Sequence, residues 1–80
     1  MNLSPKKDMI HKEFLKKLGK QIQTVRKSKG LSQQELAALI EYEKSHMSRL
    51  ENGNTNPTYI TLLKIASALK VSMSELLDEK

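Results

Sequence analysis

The 80-residue sequence has no cysteine, only three glycines and two prolines, and no apolar run near the roughly 20 residues that a membrane span requires. Without cysteine there can be no disulfide. The two histidines, His11 and His46, have no partner at ligand spacing, so no metal site is expected. A chain of this size buries only about two-thirds of the surface that its unfolded state exposes. Its thin core must therefore be held by short helices and by a second subunit, which favours a dimer. Lys6 and Lys7 are not followed by an apolar segment of signal type, and the sequence reads as soluble and cytoplasmic. It has no G-x-S-x-G elbow, P-loop or paired carboxylates, and a domain this small has little room for a pocket. Neither an enzyme, a cofactor nor a small-molecule substrate is expected.

The scarcity of glycine and proline, with apolar residues recurring at three and four, predicts an all-α chain. A first helix can start from Ser4 with Pro5 in its first turn, repeat Ile10, Phe14, Leu18, Ile22 and Val25 on one face, and stop at Gly30. Gly19 weakens it by about 1 kcal/mol relative to alanine. Residues 1–13 are therefore either an arm or a helix extension, ahead of a domain over 14–80. Ser32 and Glu35 form a capping box, with Leu31 and Leu36 as its hydrophobic staple; Ser72, Glu75, Val71 and Leu76 repeat that grammar near the C-terminus. Met47 and Leu50 mark a third helix ending at Gly53, and Thr58 caps a fourth.

Two short helices can cross nearly at right angles only if a small residue lies at their closest approach. Ala37 supplies it, Leu36, Ile40, Met47 and Leu50 form the inward face, and Tyr42 covers the turn. Pointing away from Met47 and Leu50 are Lys44, Ser45, Ser48, Arg49 and Asn52, a face without acid. Arg49 can fork onto guanine O6 and N7, while Lys44 and Ser45 can reach base edges or phosphates. The plainer alternative is a solvated helix face. The charge is uneven: residues 1–30 carry nine Lys or Arg against two acids, and residues 31–80 carry five against seven. A basic segment of this kind suits nucleic acid, an anionic surface, an acidic partner or solvent.

The runs Leu31-Ser-Gln-Gln-Glu-Leu-Ala37, Ser48-Arg-Leu-Glu-Asn-Gly53, Asn56-Pro-Thr58 and Leu62-Leu-Lys-Ile-Ala-Ser-Ala-Leu69 resemble the Cro and phage-repressor helix-turn-helix family over about residues 18–78. The resemblance implies a five-helix, lambda-repressor-like domain with its helix-turn-helix at about 32–52. It further implies a homodimer on a pseudo-palindromic operator, acting in transcriptional control. By carry-over, Gln33 contacts phosphate, Lys44, Ser45 and Arg49 read bases, and Asn52 with the Asn54–Thr58 loop, including Asn56 and Thr58, contacts the backbone. The same resemblance implies a structural ion pair, Arg26 with Glu51.

Two features depart from that pattern. Glu41 stands where the family usually has a turn glycine, so either a left-handed residue is kept at a cost of about 1 kcal/mol or the turn is rearranged. Glu43 is either a cap or solvent residue, or an acceptor for a cytosine amino group. His46 is either a DNA contact or an unengaged helical histidine, and no role is expected for His11. Dimer contacts are expected from Leu69, Val71, Met73, Leu76 and Leu77, which are otherwise core. With no recognisable effector segment, signals would act through concentration, proteolysis or a partner protein, as in a restriction-modification controller or an antitoxin. A reading of another class is a protein-interaction module on the same scaffold.

Overall fold

A computed structural model describes residues 4–77, with side chains from His11 onward; Ile10 on the expected apolar face lies outside the described side chains. Five helices make up the described residues: α1 Ser4–Ser28, α2 Gln33–Leu39, α3 Lys44–Glu51, α4 Tyr59–Leu69 and α5 Met73–Leu77. Helices of five to eleven residues, as α2 to α5 are, are marginal in isolation, so their stability must come from caps and packing. α1 packs on α3 and α5, α2 on α3 and α4, and α4 on α5. Ile22, Leu36, Met47, Leu50, Ile65, Leu69 and Leu76 meet at the centre and are fully buried. Ala37 is buried beside them, as the close crossing of α2 and α3 requires.

The starts of the short helices follow the local signals. Ser32 Oγ accepts from the Glu35 N–H at 3.0 Å, and Glu35 Oε1 accepts from the Ser32 N–H at 2.8 Å. The bond from the Ser32 backbone, aided by its hydroxyl, holds the Glu35 carboxyl below the ordinary carboxylate range. Ser72 and Glu75 close the matching box ahead of α5, and Thr58 Oγ1 accepts from the Thr61 N–H ahead of α4.

The ends follow one rule as well. After each of the first four helices a left-handed residue, Gly30, Glu41, Gly53 or Lys70, turns the chain. The next residue then donates its N–H back across the last turn: Leu31 to Arg26, Tyr42 to Ala37, Asn54 to Arg49 and Val71 to Ala66. This is the Schellman arrangement, which satisfies carbonyls that a helix end leaves open. Of the two alternatives at Glu41, the structure has the kept turn: φ is +57° on a side-chain-bearing residue.

Gly19 does not break α1. The helix runs through it, and glycine is required there because a Cβ would overlap the carbonyl oxygens of Leu50 and Glu51, where α1 crosses the end of α3. Residues 4–13 therefore continue a helix of 25 residues, about 37 Å long at 1.5 Å per residue. That length exceeds what the short helices can cover. Phe14, expected on the buried face, is accordingly 63% exposed, whereas Ile22 two turns on is sealed. A second correction concerns the expected dimer contacts. Leu69 and Leu76 are spent in the chain's own core and have no surface left for a partner, while Val71, Met73 and Leu77 are half-buried.

Two substitutions test this account by denaturant unfolding. Gly19→Ala should destabilise by about 1–3 kcal/mol through overpacking, although helix propensity alone favours alanine by about 1 kcal/mol; a stabilised variant would contradict the close approach. Glu41→Gly should stabilise by about 0.5–1 kcal/mol, as relief of the left-handed strain outweighs the added freedom of the unfolded chain.

Candidate nucleic-acid interface

α3 is the centre of the candidate site, and its far end is the most constrained point in the molecule. Glu51 presents a side chain with no exposure to the buried Arg26 of α1. Arg26 Nε donates to Oε2 at 2.6 Å and Nη2 to Oε1 at 3.0 Å, a two-pronged contact. Arg26 Nη1 also donates to the Leu31 carbonyl at 2.6 Å, so one guanidinium ties α1, the α1–α2 connection and α3 together. The Glu51 hydrogen bond keeps the Arg26 pKa above its already high ordinary value, against the opposing effect of burial. The ion pair is present as the resemblance implied.

Gln33 joins this network. Its Nε2 donates to Glu51 Oε1 at 2.8 Å, so the first residue of α2 is fastened to the last residue of α3. One of the two N–H donors of the amide expected to serve a phosphate is thus used inside the domain. No local pattern signalled this, since the two residues are eighteen apart in sequence. Every buried side-chain nitrogen and oxygen among the described residues has a hydrogen-bond partner.

With α3 fixed at that end, its outer surface follows from helix geometry. Met47, Leu50 and Glu51 point inward, leaving Lys44, Ser45, Arg49 and Asn52 exposed and Ser48 half-exposed on the opposite side. Exposed Asn54 and Asn56 continue this surface beyond the Gly53 turn. Thr58, also expected there, commits its hydroxyl to capping α4 and lies 3.0 Å from Thr61 Oγ1. At the other end Glu43 occupies the cap position of α3, with extended backbone but no side-chain cap bond. His46 is half-buried, with its ring edge-on to Tyr42 at 5.6 Å and Nε2 3.8 Å from Glu43 Oε1. Its nearest groups are therefore within the domain. The structure brings Lys44, Ser45, Ser48, Arg49 and Asn52 onto one face, and gives Gln33 and Thr58 each a hydrogen bond within the domain.

A family model described as Helix-turn-helix matches residues 22–76, a span that starts inside α1 and ends in α5. The chain belongs to the Cro/C1-type helix-turn-helix family of DNA-binding transcriptional regulators. That family is not one of enzymes. The regulator is 42% identical over 64 residues to an uncharacterized HTH-type transcriptional regulator, y4dJ, of Sinorhizobium fredii, covering 80% of this chain and 83% of that protein. It is 44% identical over 64 residues to the HTH-type transcriptional regulator SinR of Bacillus subtilis, covering 79% of this chain but only 58% of SinR. Among solved structures, the restriction-modification controller protein C.AhdI of Aeromonas hydrophila superposes with a TM-score of 0.75 at 37% identity, covering 78% of this chain and 94% of that one. Among the described residues, no helix of the regulator is long and apolar enough to cross a membrane.

Glu51→Ala should lower the unfolding midpoint and DNA affinity together. It leaves Arg26 buried without its charge partner, a loss of about 3–5 kcal/mol. Thermal melting alongside duplex titration checks this; a variant that melts like the parent and loses only DNA binding would assign Glu51 to DNA instead.

Proposed function

We propose that the regulator binds a pseudo-palindromic operator as a homodimer, with α3 of each protomer in a major groove. The observation that carries this reading is the outer face of α3. Lys44, Ser45, Arg49 and Asn52 are exposed and Ser48 partly so; the set contains no acid and is held on a helix whose inner face is sealed and ion-paired. In this reading Arg49 forks onto a guanine edge, Lys44 and Ser45 reach bases near the start of α3, and Asn52, Asn54 and Asn56 hold the phosphate backbone. Gln33 acts mainly by fixing the α2–α3 angle.

A helix of eight residues reads only a few base pairs, so useful specificity calls for two half-sites bound by a two-fold dimer. With Leu69 and Leu76 consumed by the core, the exposed large apolar side chains are Phe14 on α1, Leu39 on α2 and a cluster on α4, where Tyr59, Ile60 and Leu63 are 67%, 64% and 41% exposed within two turns. A patch of this kind marks an interaction surface. The second copy is its occupant in this proposal, with half-buried Val71, Met73 and Leu77 adding where they remain open. The regulator would act in the cytoplasm, where a bacterial operator lies. Control of a restriction-modification operon is the more specific reading, supported by the match along nearly all of C.AhdI.

Selection of bound fragments from random duplexes should recover an inverted repeat. Arg49→Ala should then lose preference at one position in each half-site, at a cost of about 1–3 kcal/mol per contact. Enrichment of no duplex would instead favour a protein-interaction module. Ile60→Lys should shift sedimentation from dimer to monomer while leaving the melting of the domain largely intact; a variant that stays dimeric would move the contact away from α4.

A further inference from the structure

The basic bias of the N-terminal third is not used by the interface described above. Between residues 11 and 29 the chain carries seven Lys or Arg against one acid, Glu13. Arg26 is absorbed by Glu51, and none of the lysines in this stretch is ion-paired among the described residues. Their placement on α1 is specific. Gly53, the turn residue between exposed Asn52 and Asn54, lies directly against α1: a Cβ on it would be 2.8 Å from both Cα and Cγ of Lys16. Lys12 and Lys20, one turn to either side, share the strip of α1 that Lys16 occupies, and all three are exposed. Gly19, which touches the end of α3, fixes the same flank independently.

The opposite flank of α1 is committed elsewhere. Gln21 Nε2 donates to the Glu75 carbonyl at 3.0 Å, and Phe14, Leu18 and Leu77 line a groove beside it to which Lys16, Lys17 and Lys20 also contribute. Lys17 is turned about 100° from Lys16 and about 140° from Lys12, toward the Gln21 side. The row through Lys16 is therefore the one set against the Gly53 turn, with Lys17 at its Gln21 edge.

We propose that Lys12, Lys16 and Lys20 form a second phosphate track, carrying the operator backbone from the Asn54 turn along α1. This rests on the DNA reading of α3 and extends the contacted surface beyond the helix-turn-helix. The row spans about 12 Å of helix. With the duplex axis running along α1, that length takes in three or four phosphates of one strand at about 3.4 Å of axial rise each. Lysine, a flexible point charge with no bidentate geometry, suits backbone attraction rather than base reading.

The test compares the parent protein with a Lys12→Gln/Lys16→Gln/Lys20→Gln variant, titrated on a selected operator and on a scrambled duplex of the same length over a range of salt. Glutamine at position 16 keeps the methylenes that lie against Gly53. The expected result is a slope of log affinity against log salt shallower by about 0.9 for each lysine engaged, near 2.7 per protomer if all three are. Affinity should fall on both duplexes alike, with an unchanged melting curve. Lys17→Gln should leave the slope as it is. A triple variant with the parental slope, or an equal loss from Lys17→Gln, overturns the track while leaving the α3 reading intact. A parent that shows no salt-dependent duplex binding removes the α3 reading and the track with it. If the triple variant melts lower, single Lys12→Gln and Lys20→Gln variants, away from Gly53, give the same slope comparison.

Discussion

The Arg26–Glu51 pair is the contact on which the rest of this domain depends. It lies where three elements converge, and the guanidinium of α1 serves the other two: the carboxylate at the end of α3 twice, and the Leu31 carbonyl leading into α2 once. Gln33 closes the ring from the start of α2. Burying two charges is expensive, and such a pair is weak evidence of net stability. What it contributes here is geometry. A hydrophobic contact in its place would allow α3 to slide or roll, whereas charged hydrogen bonds fix both its distance and its rotation. Rotation decides which residues of an eight-residue helix face outward, and so whether Arg49 and Lys44 point at a ligand or at the core.

Around that centre the molecule is built from short pieces with well-marked ends. Four successive helices finish on a left-handed residue and a backward N–H bond, and three start on a hydroxyl cap. This economy suits a chain with no disulfide and a core of few large side chains, because each satisfied terminal group removes a cost that the core would otherwise have to cover. At Gly53, against Lys16, glycine supplies a left-handed position where the chain also needs room, whereas Gly30 turns in open space. At Glu41 and Lys70 the motif persists despite a side chain, since the backbone bonds and the packing of the following Tyr42 and Val71 hold it.

The capping boxes at Ser32 and Ser72, the cap at Thr58 and the stops at Gly30 and Gly53 were all legible because the signal and its consequence lie within four residues of one another. The outward face of α3 was legible for the same reason, since helical periodicity places Arg49 opposite Met47 and Leu50. The Arg26–Glu51 pair was legible only through a family resemblance; the residues are twenty-five apart and nothing local joins them.

Three features were decided only by the tertiary structure, and they share a physical cause. Gly19 reads as a flaw in a helix until α3 is seen crossing it. Phe14 reads as core until α1 outruns the elements that would cover it. Leu69 and Leu76 read equally as dimer contacts or as core until α4 and α5 are seen packed together. In each case the outcome depends on what lies opposite in space, whereas spacing along one helix reports only which residues share a face. The sequence by itself determined where the helices begin and end and which side chains α3 shows outward, because those are set by bonds between near neighbours. The close approach at Gly19, the partner of Gln33 and the placing of the lysine row beside Gly53 were settled by packing, because they join segments that only the folded chain brings together.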